Sequence, residues 1–453
     1  MSKKELNGAR MLPFALIACE IAGEEFRVTN LAIEGFAVRS PEEITSFADL
    51  TLSFYCGRSG TYRQVRPASY TAEPGEKTRY YREYRIFTED PEYRRETERV
   101  FREYRQYISL KMTGDDGYLA QELTGYPWEL EEEHYRTFSE QKRVWMKDVC
   151  EGAAGECFPA ALELAVCLDH DRQRKLYLSL DKKEFEKVFW KENFLAGHPI
   201  TQHPFQRIYV GNQFCENLFP SEEELFAVLE KASKQKQSVT VMFAPAQESQ
   251  IDQREWIIPL LAEWCRKRGE RMEAVSNDWG TALLLQKQAD VLEPVLGILL
   301  NRRRKDVRYR YKIGLGEDAE GFDRLAETGI NSRFYQKYLR ETFDITRYEF
   351  EACGYMQEIP PGRHSMHLPF YQTNTSQYCP LYAACREGSR GRQRPVSECP
   401  HYCSSRVFLY PKHLDLIGRY NSLFGFDRRI LRDMQILEEY ARSSVDRVVI
   451  GMV

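Results

Sequence analysis

From about residue 205 onward, short apolar stretches alternate with amphipathic ones, and no other feature constrains the fold as much. Residues 207–211, 239–244, 271–277, 295–301, 347–353, 406–410 and 446–452 are rich in β-branched and aromatic side chains and read as strands. Between them, 221–234, 253–268, 281–289, 331–340 and 428–442 carry apolar residues at helical spacing. Ser221 and Glu224 stand as a capping box at the first of these helices. Such alternation implies a parallel sheet, because parallel neighbours need a long crossover between them. About seven such strands predict a TIM-like parallel α/β barrel, complete or open.

The first 115 residues follow another pattern. Residues 14–20, 26–31, 35–39 and 50–55 read as short strands separated by turns, which predicts a small β-barrel-like domain or antiparallel sheet with helices. Asp90 and Pro91 then open a helix as N-cap and first residue. Tyr93, Thr97, Val100, Phe101, Tyr104 and Ile108 recur along it at helical spacing. Arg94, Arg95, Arg99, Arg102 and Arg105 suggest a nucleic-acid stripe, but Glu92, Glu96, Glu98 and Glu103 interleave with them. An ion-paired, solvated face is the expectation. Residues 116–197 read as a connecting region, with helices at 131–147 and 182–191 and a strand at 174–180. The expected organisation is thus 1–115, 116–197 and a barrel over 198–453.

Charge and hydropathy exclude some function classes. The 453 residues include 64 Lys+Arg and 68 Asp+Glu, a net charge of -4, so a bulk polycation is excluded while a local basic groove is not. No apolar run reaches the ~20 residues of a membrane helix. Leu16 to Cys19, behind Lys3, Lys4 and Arg10, resembles a lipoprotein cleavage box. The apolar part is short and holds Pro13, so a first strand is the preferred reading and a reducing cytoplasm the expected compartment. The 12 cysteines are then expected to be thiols or metal ligands.

Eight cysteines are scattered, but Cys379, Cys385, Cys399 and Cys403 fall in one polar loop with spacings C-x5-C, C-x13-C and C-x3-C. Cys215 lies just beyond the first predicted barrel strand. Loops at strand C-termini share one face of a barrel, so these thiols can meet in space. Four thiolates suit a 4Fe-4S cluster, which tolerates irregular spacing. A structural zinc is the alternative, though C-x2-C knuckles are missing. Free core thiols are the third reading, and a loop of Gly, Arg and Ser suits them poorly.

These segments carry a resemblance. Phe205 to Cys215, the Ser-Asn-Asp-Trp-Gly run ending at Gly280, Tyr348 to Glu351 and the Glu-Cys-Pro-His-Tyr-Cys run ending at Cys403 resemble strand ends and cysteine loop of the collagenase-like peptidase family U thirty-two. Within it, the likeness is greatest to the iron–sulfur branch of oxygen-independent ubiquinone hydroxylation, and it covers 198–453. The loop spacing is one residue longer here, and Arg302 to Lys305 lacks a counterpart. The resemblance implies a TIM-like barrel and a 4Fe-4S cluster on Cys215, Cys385, Cys399 and Cys403, with Cys379 as an alternate ligand. It also implies support for hydroxylation or modification of RNA or a small aromatic acid, with a protein partner or homologous subunit. The family carries a protease label as well, but neither a G-x-S-x-G elbow nor an H-E-x-x-H site occurs in the sequence.

Polar residues at predicted strand ends complete the candidate site. Glu351 and Asp278 are the candidate catalytic carboxylates, and Asn277, Asn301 and Arg302 the candidate substrate-binding residues. Glu349 shares a strand face with Glu351. The structural alternative is that these carboxylates pair with arginines and hold the barrel together. His364 and His367 read as loop residues approaching the cysteines. At the N-terminus, Asn30 to Gly35 resembles the signature of PilZ domains, with Ala32 in place of its Ser and the upstream Arg pair missing. Two other functions stay open: a metal-stapled sensor or scaffold whose N-terminal domain binds a nucleotide or partner, and a peptidase.

Overall fold

The structure, a computed structural model, describes residues 6–10, 12, 16–56, 61–112, 132–303, 305, 328–388, 394–396, 398–409 and 415–452. Phe14, Arg304, Tyr410 and the side chain of Ile108, all used in the readings above, lie outside what it describes.

Seven strands make an antiparallel N-terminal sheet. They are β1 (Ile17–Ile21), β2 (Glu24–Ala32), β3 (Gly35–Ser40), β4 (Thr51–Cys56), β5 (Thr61–Val65), β6 (Thr71–Lys77) and β7 (Arg82–Phe87), in the order β5-β4-β1-β2-β3-β7-β6. Gly35 is required where β3 meets β7, since a Cβ there would collide with the Ile86 carbonyl oxygen. Helix α1 (Pro91–Met112) starts at Asp90, whose carboxylate accepts from the Glu92 and Tyr93 amides at 2.9 and 3.0 Å. Tyr93 is fully buried between Phe36 and Phe54, and its hydroxyl donates to the Ala32 carbonyl at 2.7 Å. At the edge of this buried face Arg99 pairs with Glu96 and Glu103, both at 2.8 Å, and Glu96 is 2% exposed, so that pair is not solvated as expected. The arginine stripe is therefore at least partly neutralised within the helix.

Eight parallel strands close a barrel with helices around it. They are β8 (Glu163–Leu168), β9 (Arg207–Gly211), β10 (Ser238–Phe243), β11 (Met272–Ser276), β12 (Leu292–Leu296), β13 (Arg347–Glu351), β14 (His364–Thr375) and β18 (Val445–Gly451). Each pairs with the next, β18 returns to β8, and β13 pairs with β14, which closes the ring. The helices are α2 (Glu132–Gly152), α3 (Asp171–Ser179), α4 (Lys182–Glu192), α5 (Glu222–Lys234), α6 (Ile251–Arg268), α7 (Trp279–Gln286), α8 (Arg333–Phe343), α9 (Pro380–Glu387), α10 (Arg429–Arg432) and α11 (Met434–Arg442). The distal half of β14 also pairs antiparallel with β17 (Ser422–Phe426), which continues through β16 (Leu416–Arg419) to β15 (Phe408–Leu409). Trp145 of α2 stacks on Phe426 at 4.6 Å and ties this extension to the main core.

Several sequence-based expectations change. The barrel begins at β8, upstream of residue 198, so part of the connecting region belongs to it. Residues 174–180 are not a strand but the later part of α3 and its cap. There Arg174 and Tyr177, three apart, are the buried residues, which is a helical and not an alternating pattern. The strand expected at 406–410 shrinks to β15 and lies outside the barrel. The helix expected over 428–442 breaks at Asp433, which caps α11 by accepting from the Gln435 amide.

Candidate active and metal-binding face

Inward-facing side chains fill the barrel in layers, as in other closed α/β barrels. The lowest layer is charged. Arg447 is 1% exposed and donates to both Glu273 oxygens at 2.6 and 2.9 Å and to Glu163 at 2.6 Å. Arg207 meets Glu163 at 2.9 Å, and Arg347 meets Asp446 at 2.5 Å. Burial pushes the Glu273 carboxyl up, but Arg447, Arg207 and Arg347 outweigh it and hold the group down to about 2. Above this layer sit Ala165, Met242, Val275, Val295 and Val449 around Tyr209. The Tyr209 hydroxyl accepts from Arg447 at 2.9 Å and donates to Glu349 at 3.2 Å. Glu349, with no exposed surface, also meets His367 Nε2 at 2.5 Å.

At the C-terminal ends of the strands, most of the candidate residues are occupied by the fold. Gln213 lies 3.3 Å from His367 Nε2 and accepts from Asn277 at 3.3 Å and the Ile298 amide at 3.2 Å. Asn277 also donates to the Phe243 carbonyl and accepts from the Leu299 amide, both at 2.9 Å. Asn301 donates to the Glu349 carbonyl at 2.9 Å. Glu351 is buried, pairs with Lys305 and accepts from the Gln372 amide at 2.8 Å. Asp278 caps α7, accepting from the Thr281 amide at 2.7 Å and its hydroxyl at 2.8 Å, and holds the Ala246 amide at 3.2 Å. Arg302 is exposed on the rim. The two candidate carboxylates thus have separate structural tasks. His364 and His367 are not loop residues: both lie on β14, whose polar inward face hid it as a strand. His364 stacks on Tyr348 at 4.7 Å, and burial pushes its imidazole down to about 4.

The thiols converge on this face. Gly211, at φ +106 and with the Met242 carbonyl in the way of any added Cβ, lets the chain turn off β9. Asn212 then accepts from the Phe214 and Cys215 amides at 2.8 and 2.9 Å, which sets the Cys215 loop. Because β14 intervenes, the cysteine loop follows β14 and not β13. Cys379 is the N-cap of α9, and its sulfur accepts from the Tyr382 amide at 3.3 Å. The Cys215 thiol is pushed well above its usual range, first by burial and then by Cys379, Cys403 and Cys399. Burial, opposed by Arg419 and reinforced by Cys399 and Cys379, pushes Cys403 up to about 12. Burial also raises Cys399 and Cys379, and backbone amides of His401 and of Tyr382 and Leu381 oppose it. Cys385 instead faces Arg406, whose Nη1 lies 3.9 Å from its sulfur. Cys215, Cys379, Cys399 and Cys403 thus act on one another, while Cys385 faces Arg406 and acts on Cys379. They are neighbours and not a closed ligand shell: among the described residues, no three His, Cys, Asp or Glu stand close enough to hold a metal ion as placed.

A cleft of about 610 Å³ opens beside them, with Cys215, Cys379, Arg302, Asn374 and Asn421 in its wall. A second, much smaller chamber of about 40 Å³ lies at the barrel mouth, with Asp169, Gln213, Glu351, His367 and Phe214 in its wall. It has room for about one water molecule. Asp169, at the end of β8, escaped the sequence reading. One of its oxygens, Oδ1, is buried without a hydrogen-bond partner. Burial pushes this carboxyl up to about 6 against the pull of Arg419 and Arg174. The apolar run Leu164 to Leu168 followed by Asp169, His170 and Asp171 was the available signal.

Comparison with family models, curated proteins and solved structures found no match to this chain. Its fold is a closed eight-stranded parallel barrel with an antiparallel N-terminal sheet domain. Among the described residues, no helix is long and apolar enough to cross a membrane.

Proposed function

We propose that the chain is an iron–sulfur protein of the collagenase-like peptidase type, holding a 4Fe-4S cluster at the C-terminal face of its barrel. The observation that carries this reading is that Cys215 and Cys379 line one cleft at the barrel mouth and that the Cys379 thiol and the Cys403 carbonyl bond to adjacent residues, Tyr420 and Arg419. The donor set fits such a group. It comprises four thiols in a partly desolvated site; burial raises all four, backbone amides at Cys379 and Cys399 and Arg419 at Cys403 oppose that rise, and a bound metal would supply the positive charge that stabilises the thiolates. Cys379 takes the place first given to Cys385. When bound, the cluster would supply one-electron redox chemistry or activation of an oxygen donor. The chain's own part is to bind and orient the second reactant. Arg302 offers a cation to an anionic group, and the polar wall around Asn374 offers hydrogen bonds. Asp169 is placed to hold a proton near neutral pH.

In this reading the chain supports oxygen-independent hydroxylation or another modification of RNA or a small aromatic acid, with a protein partner or homologous subunit, in the cytoplasm. The test is iron and sulfide content of anaerobically purified Cys399→Ser protein. Loss of both relative to the parent supports the reading. Retained iron removes Cys399 from the ligand set. Structural zinc is the second reading, favoured by the all-thiol donor set, since four cysteines are a common zinc shell.

A further inference from the structure

The tip of the β16–β17 hairpin touches all three cysteine-bearing segments. Arg419 pairs with Ser422 across the hairpin, so Tyr420 and Asn421 form a two-residue turn. Arg419 Nε donates to the carbonyl of Cys403 at 3.1 Å. The Tyr420 carbonyl accepts from the Cys379 thiol at 3.4 Å. Asn421 Nδ2 donates to the Phe214 carbonyl, next to Cys215, at 2.8 Å and to the Ser376 carbonyl at 2.9 Å. The Ser376 amide returns a bond to the Asn421 carbonyl at 2.8 Å. One amide side chain thereby joins the loop after β9 to the loop after β14.

The turn is also an unusual one. Tyr420 has φ 56 and is 2% exposed, although this turn position ordinarily takes Gly, Asn or Asp and faces solvent. A bulky residue in the left-handed region persists only where its surroundings over-determine it. Its hydroxyl reaches toward Asp169 at 3.5 Å and its ring lies near the Arg419 guanidinium, at 5.1 Å. The tip is thus built into the face and not merely a connection.

We propose that Arg419, Tyr420 and Asn421 are positioning residues that pre-assemble the thiols, with Asn421 as the clamp between the Cys215 and Cys379 segments. This rests on the proposed role of those cysteines in holding a metal group. It goes beyond that role by assigning the assembly of the site to a segment that supplies no ligand. Among the described residues the sulfurs do not yet form a ligand shell, so the clamp's part is to keep their segments side by side in the metal-free chain and shorten the movement that binding must complete.

The test compares the parent with Asn421→Asp, which is nearly isosteric but removes both donated bonds, and with Arg419→Gln. In metal-free, reduced protein, alkylation by a thiol reagent is followed at each cysteine by mass spectrometry. Asn421→Asp should speed alkylation of Cys215 and Cys379 on the order of tenfold, and Arg419→Gln should do so at Cys403. Cys265, fully buried on α6, should stay slow and reports that the barrel is folded. Anaerobic addition of ferrous iron and sulfide should then give weaker charge-transfer absorption in both variants than in the parent. Parental alkylation rates and parental spectra in both variants overturn the clamp. If the parent takes up no iron, the cluster reading fails, and the alkylation rates alone decide the clamp. If Asn421→Asp exposes Cys265, Arg419→Gln decides it.

Discussion

The two ends of the barrel are built on opposite terms. At the lower end, three arginines meet Glu163, Glu273 and Asp446 in a connected set of short bonds. At the mouth, Asp169 keeps an unpartnered buried oxygen, and four thiols are desolvated together. Buried charge is tolerated when it is paired and hydrogen-bonded, and is costly when it is not. The lower end therefore holds the ring closed, whereas the mouth carries groups that destabilise the chain unless they serve a bound partner. Uncompensated groups of this kind gather at functional sites. Polarity in a barrel interior therefore does not mark function by itself; an unpartnered buried oxygen beside a cleft and a group of thiols is the stronger sign.

Breaking the lower layer should have the largest effect. Arg447→Met removes the guanidinium that Glu273 and Glu163 share, leaves them only Arg207 and the more distant Arg347, and should cost about 3–5 kcal/mol in denaturant unfolding. A loss below about 1 kcal/mol would mean that the layer is not what holds the ring.

The two ends should also answer to pH with opposite signs. Glu273 is held down to about 2, so its contribution is fully present above its ordinary value of 4.5 and is lost as pH falls from there toward 2. Asp169 is pushed up from 3.8 to about 6, so the folded state holds a proton that the unfolded state has released. Stability therefore falls as pH rises from 3.8 to about 6. Asp169→Asn should remove that slope and stabilise the chain at neutral pH by about 3 kcal/mol. Denaturant titrations across pH on both proteins decide it; a destabilised variant would show that Asp169 is already compensated.

Asp278→Ala should cost about 1 kcal/mol, the usual loss of a helix cap, and leave metal content unchanged. A large drop in metal content without a stability change would instead return Asp278 to the functional site. Cys385→Ser should have the smallest effect on both stability and metal content, because the Cys385 thiol is directed at Arg406 and, unlike Cys379, Cys399 and Cys403, is not among the groups that raise Cys215.

The barrel was legible wherever its strands read as apolar runs, as at β9, β10 and β11. β14 was not, because Ser365 and His367 turn polar side chains to the interior, His364 packs on Tyr348 from the other face, and Pro369 interrupts the run. β8 is as long and as apolar as these, but the helix after it looks like a strand through Leu176, Leu178 and Leu180 and drew the strand reading to itself. At the site, the choice between Cys379 and Cys385 could not be read from spacing. Six residues span about 1.7 helical turns, so the N-cap and the last turn of α9 point to different sides. Asn421 and Tyr420 were invisible for a similar reason: a turn residue reveals its contacts only once the hairpin is placed.

The deciding experiment is the iron and acid-labile sulfide content of anaerobically purified parent, Cys379→Ser and Cys385→Ser proteins. A cluster on Cys215, Cys379, Cys399 and Cys403 predicts about four of each per chain in the parent and in Cys385→Ser, and loss of both in Cys379→Ser. One zinc without iron in the parent would contradict the cluster. Iron lost from Cys385→Ser but kept in Cys379→Ser would contradict the ligand set.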